Sequence, residues 1–197
     1  MRRAFLTLLA IGLLAAAPVW AAYNPFFPGG HRNQFSVHVG KGNNHGWLVP
    51  PPSMWVPFAM VHLQYSQPTT FFRLPARQSL GVVQTVGWGS KYRIPWSEPG
   101  TYWNWKNYSI PIAVLGKDVI LHSNERWYYG AGISVGMQAQ ENERIGSKLV
   151  FGFKLLAGRR LTDTLSLEFI IQHFSNGNTA PENNSYAFYG IGLAWNF

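Results

Sequence analysis

The chain has 197 residues, of which 12% are charged and 16% aromatic, with 20 glycines, no cysteine and a formal charge of +8 at pH 7. Soluble domains carry about a quarter charged residues, so an ordinary water-covered surface is excluded, and the missing cysteine excludes disulfides and thiol–metal sites. The positive balance suits an anionic partner, and for an exported chain that partner is phosphate-rich lipid, not nucleic acid.

Taken in chain order, Met1-Arg2-Arg3 is followed by an apolar run from Ala4 to Val19 and then Trp20-Ala21-Ala22. A basic start, a short apolar stretch and small residues at Val19 and Ala21 predict a signal peptide over residues 1–21. The run is short of the ~20 residues of a spanning helix and has no basic flank after it. Residues 22–197 then form one domain. Losing Arg2 and Arg3 lowers the charge from +8 to +6. No later apolar run approaches spanning length, so a chain of this composition can meet lipid only as a closed β-barrel.

Alternation predicts strands near 34–42, 55–66, 79–90 and 106–116, then 127–139, 147–159, 163–176 and 185–197. Among the first four, Pro51, Pro52, Pro57, Pro95 and Pro111 interrupt the pattern, and Leu115–Arg126 could hide a different turn. The later strands are regular. Tyr129, Ala131, Ile133, Val135 and Met137 alternate with Gly130, Gly132, Ser134, Gly136 and Gln138. Ala187, Tyr189, Ile191, Leu193, Trp195 and Phe197 do the same against mostly small residues. A soluble sandwich would set charge, not glycine, opposite its apolar face. The expected fold is therefore all-β, an eight-stranded antiparallel transmembrane β-barrel of outer-membrane type, its lumen filled by side chains. The short Arg159–Asp163 connection should be periplasmic and the longer Gly177–Asn184 connection extracellular.

On the seventh strand, Leu165, Leu167, Phe169 and Ile171 share a parity with His173 and Ser175. That puts a polar pair on the lipid face near its outer end. Residues two apart on a strand have Cα atoms ~6.6 Å apart on one face, close enough for an imidazole to take a serine proton as the hydroxyl attacks an ester. An interfacial histidine beside a small residue is the bland alternative. Polar groups on a lipid face are costly unless used, which favours chemistry. The Gly132-Ile133-Ser134-Val135-Gly136 run matches a nucleophile elbow, but that motif needs a strand–turn–helix and here lies within a strand facing the lumen. His31, His38 and His45 have no carboxylate beside them in sequence, and no metal site is expected there.

Glu168-Phe169, then His173-Phe174-Ser175-Asn176-Gly177, Pro181 and Asn183, and an aromatic-ended last strand resemble the PagL-type lipid A 3-O-deacylases, over roughly Trp127 to Phe197. The resemblance implies a bacterial outer-membrane esterase whose site lies on the outer wall. It would hydrolyse the 3-linked acyl ester of lipid A in lipopolysaccharide, without metal or cofactor. It makes His173 the general base and Ser175 the nucleophile, with backbone N–H groups near Asn176 and Gly177 as oxyanion donors. The family has a carboxylate entering its last strand; here Asn184 occupies that slot and Glu182 lies two residues earlier. Asn184 is the expected orienting group, since an amide can orient a histidine, and Glu182 its rival. Trp47, Trp55, Trp88, Trp103 and Trp105 fit interfacial belts, and Lys91, Arg93 and Lys106 could meet lipid A phosphates. A homodimer is left open as a partner. The competing function is a structural or adhesive barrel without chemistry.

Overall fold

The computed structural model describes residues 33–43, 58–87, 92–93, 102–103, 109–142, 145–181, 183 and 185–197. The signal-peptide segment 1–21 lies outside the described residues, as do Glu182, Asn184, His31, His45, Trp47, Trp55, Trp88, Trp105, Lys91 and Lys106.

Eight long strands close into an antiparallel barrel: β1 (Gln34–Asn43), β2 (Phe58–Phe71), β3 (Leu74–Gly87), β6 (Pro111–Ser123), β7 (Trp127–Gln138), β8 (Leu149–Arg160), β9 (Leu165–Ser175) and β10 (Tyr186–Asn196). Two short strands, β4 (Tyr92–Arg93) and β5 (Tyr102–Trp103), pair with each other in the β3–β6 connection. Closure comes from β1, which pairs with β10 on one side and β2 on the other. Among the described residues each strand of the barrel therefore has two neighbours, and no edge is left for lipid to meet.

The expected strands 55–66 and 79–90 extend into a longer hairpin than proline counting allowed. Phe71 pairs with Leu74 across a two-residue turn in which Phe72 (φ 46°) and Arg73 (φ 67°) both take the left-handed conformation. A tight hairpin demands that geometry. Similarly, β6 begins at Pro111, where a strand tolerates proline, and runs to Ser123. The turn suspected in 115–126 is instead a register shift between Ile120 and His122 followed by a short connection.

Short connections at Phe72–Arg73, Asn124–Arg126 and Leu161–Thr164 share one end with both chain termini of the barrel. By loop length that end is periplasmic. The long connections, including Asn176–Ser185, lie at the other, extracellular end.

Side chains partition as two solvents require. Val39, Leu80, Phe169, Ile191 and Trp195 are exposed on the wall. The lumen instead holds charge. Arg77 donates to Asp118 Oδ2 (2.8 Å) and Glu168 Oε1 (2.7 Å), and Lys154 Nζ lies 2.7 Å from Asp118 Oδ2. Tyr128 Oη donates to Glu168 Oε1 at 2.6 Å, and His38 Nε2 is 2.9 Å from Glu168 Oε2. His38 thus has a carboxylate partner after all, supplied by β9 and invisible along the sequence. Two cations and two anions make the cluster formally neutral, the condition for burying charge at all. Toward the extracellular end Phe174, Tyr186, Phe188, Ile145 and Val150 form an apolar plug. The lumen is a packed core rather than a channel, as expected at this strand number.

Candidate active site

His173 and Ser175 stand on the outer face of β9, whose inward residues Glu168, Ile170, Gln172 and Phe174 are all buried. β9 rises from the periplasmic connection at Leu161–Thr164, so both residues sit in its last turns toward the extracellular rim. His173 lies between Phe153 of β8 and Ala187 of β10, and Ser175 lies beside Phe151. The pair is half-buried among apolar neighbours. This is the setting in which an ester carbonyl could approach from the membrane.

Immediately after Ser175 the chain turns back. The Thr179 N–H donates to the Asn176 carbonyl at 3.2 Å, and the two residues between, Gly177 (φ 61°) and Asn178 (φ 60°), both have positive φ. That is the signature of a type I′ turn, for which Gly and Asn are suited. Asn176 is fully buried, and its side chain builds the turn: Oδ1 accepts from the Asn178 N–H at 2.8 Å and Nδ2 donates to the Ala180 carbonyl at 3.3 Å. The Asn176 N–H is itself taken by Asn183 Oδ1 at 3.0 Å, and Asn183 Nδ2 donates to Asn178 Oδ1 at 2.8 Å. Of the two expected oxyanion donors, the backbone of Asn176 is therefore committed to the loop. Among the described residues no acceptor takes the Gly177 N–H. A Cβ on Gly177 would lie 3.1 Å from the Phe151 ring, so the glycine is needed for close approach as well as for its φ.

Asn183 also bridges to Ile145 of the β7–β8 connection. Two extracellular connections thus meet at Asn183, which the expected orienting positions 182 and 184 flank in sequence. The sequence reading overlooked Asn183 as an organiser of the turn; its position seven residues after Asn176, across a turn-forming Gly-Asn, was the available signal. Ser134 of the Gly-x-Ser-x-Gly run faces the lumen: a Cβ on inward Gly152 would collide with its Oγ. No group of three or more metal-ligating side chains occurs among the described residues.

A closed eight-stranded barrel with an apolar wall, carrying a histidine and a serine on that wall near its outer rim, defines an outer-membrane barrel with the makings of a hydrolase. The model of the lipid A 3-O-deacylase (PagL) family matches residues 60–196, and the chain belongs to that family. It is accordingly an outer-membrane ester hydrolase of the lipid A-modifying class. No curated protein sequence matches the chain. Among solved structures, the outer membrane enzyme PagL aligns at 14% identity and a TM-score of 0.49, covering 82% of this chain and 98% of its own. Neisserial surface protein A aligns at 11% identity and a TM-score of 0.48, covering 85% and 97% respectively.

Proposed function

We propose that the protein removes the 3-linked acyl chain of lipid A by serine-type hydrolysis, with Ser175 as nucleophile and His173 as general base. The observation that supports this reading most is the placement of both residues on the outward parity of β9, at its extracellular end. A lipid A molecule in the outer leaflet would lay its acyl chain along the apolar wall beside Phe151 and Phe153. The same pose would bring its ester to Ser175. His173 takes the hydroxyl proton as Oγ attacks, and the tetrahedral oxyanion that forms needs donors already in place. The Gly177 N–H is the donor we assign, because it has no acceptor among the described residues, whereas the turn uses the N–H of Asn176. His173 then returns its proton to the departing sugar oxygen, and water releases the fatty acid by the reverse sequence. Asn184 is the orienting partner we favour for His173, with Glu182 as the alternative; either would enter from the Asn183 segment.

The test is mass spectrometry of lipid A from a host of known lipid A structure, expressing the native chain or Ser175→Ala. Loss of one 3-linked hydroxyacyl chain with the native protein alone is the expected result, the variant falling at least ~10³-fold. Equal deacylation by a folded Ser175→Ala would overturn the assignment of the nucleophile.

A further inference from the structure

We infer that Gln172 is a positioning residue for the reaction, holding the backbone beneath His173 from inside the lumen. Gln172 directly precedes His173 and points to the opposite face of the wall, where it is 2% exposed. Its Nε2 donates to the carbonyl of His173 at 3.3 Å and to that of Phe153 at 3.2 Å. His173 and Phe153 are directly opposed in the β8–β9 ladder. One amide therefore ties both strands together at the level of the imidazole, from the side that lipid never reaches.

The lumen is built to seat that amide. Opposite Phe174, β8 carries Gly152, where a Cβ would lie 3.1 Å from Gln172 Nε2 and 3.0 Å from Phe174 Cε1. Ser134 Oγ of the neighbouring strand closes the same notch. The Gly-x-Ser-x-Gly run thus has a place in the structure after all, as part of the floor behind the reacting strand. A buried amide must find acceptors, and the lumen carboxylates offer alternatives. Asp118 already receives Arg77 and Lys154, and Glu168 receives Arg77, Tyr128 and His38. The backbone carbonyls at 153 and 173 take the Gln172 donors instead. A displacement of about 1 Å between reacting groups costs roughly a hundredfold in rate, so fixing the peptide at 173 bears on turnover and not on lipid affinity.

This role rests on the deacylase reading of His173 and Ser175. Gln172→Glu keeps the side-chain size but removes both N–H donors, and its carboxylate would face Lys154 directly across the ladder. Gln172→Met, neutral and of like length, guards against an effect of added charge. In both variants kcat is expected to fall about tenfold with KM within about twofold. A second readout is the backbone carbonyl of His173. His173-Phe174 is the only His-Phe dipeptide in the chain, so labelling histidine with ¹³C′ and phenylalanine with ¹⁵N isolates its signal in detergent micelles. Loss of the amide donor should move that carbonyl resonance upfield in both variants. Deacylation at unchanged kcat in both variants overturns the positioning role and leaves the deacylase reading standing. So does a kcat loss with an unmoved His173 carbonyl. Absence of deacylation by the native chain overturns both.

Discussion

Breaking the lumen charge cluster should cost more than any wall substitution, and repairing its charge balance should recover most of the loss. Glu168 is fully buried and holds Arg77 through two contacts, 2.7 and 3.3 Å, besides accepting from Tyr128 and meeting His38. Arg77 and Lys154 balance Asp118 and Glu168, so Glu168→Leu leaves one uncompensated positive charge in the barrel, and Arg77→Met leaves one negative charge. Removing one partner of a buried pair costs ~3–5 kcal/mol. With a urea dependence of ~1–3 kcal/mol per molar, each single variant should unfold at a midpoint lower by on the order of 1–5 M. The double variant Arg77→Met/Glu168→Leu keeps the Lys154–Asp118 pair, restores neutrality and fills the space with apolar groups. Such replacements are often close to neutral, so the double variant should be more stable than either single one. Urea unfolding in lipid vesicles, followed by tryptophan fluorescence and by heat-modifiable gel mobility, measures all four proteins. Losses that simply add in the double variant would refute the reasoning, because additivity means that the groups do not interact.

The remaining expectations concern the outer rim. His173 accepts a proton only as neutral imidazole, so the logarithm of kcat/KM should fall with unit slope as pH drops below its pKa. A flat acid limb in a folded barrel would remove His173 as the base. If Asn184 orients His173, Asn184→Ala should lower kcat by tenfold or more and Asn184→Glu should retain or raise it, with Glu182→Gln silent; sensitivity at 182 and indifference at 184 would exchange the two roles. Gly177→Ala should reduce activity, since φ of 61° disfavours a side chain by about 1 kcal/mol and the methyl would crowd Phe151. Activity at the native level would show that the turn accepts a methyl group at 177 without disturbing the site.

How much of this was legible in the sequence follows from what each face of the wall touches. In β7 and β10 the lumen side is mostly small, so period-two alternation showed both strands nearly to the residue. In β2, β3 and β6 the lower halves read Gln67-Pro68-Thr69-Thr70 and Pro75-Ala76-Arg77-Gln78, with Lys117-Asp118 across from them. A polar stretch of that kind looks like a loop until Arg77 and Asp118 are seen to face each other inside a barrel. Pairing between distant strands supplies the partner, and no local window contains it. The same holds for His38, whose carboxylate is 130 residues away. The pair at 173 and 175 was visible for the opposite reason: polarity on a lipid-facing parity breaks a local rule and needs no distant partner to be noticed.

That contrast separates the two jobs of β9. Its inward residues, Glu168, Gln172 and Phe174, bind the strand into a closed, charge-balanced core, and its outward residues end in the pair proposed to react. A barrel wall one residue thick gives a site no second layer of protein on the lipid side. Whatever precision the pair has must therefore come through the backbone from the lumen, or from the extracellular connections that meet at Asn183. Loop-borne groups such as Asn184 or Glu182 would supply orientation from above, and the Gln172 amide and the Gly152 notch support from behind. Substitutions of lipid-facing residues far below the pair, such as Leu167 or Phe169, touch neither route. They should leave kcat unchanged so long as they remain apolar, and a turnover defect in Phe169→Leu would show that the wall itself transmits geometry to the site.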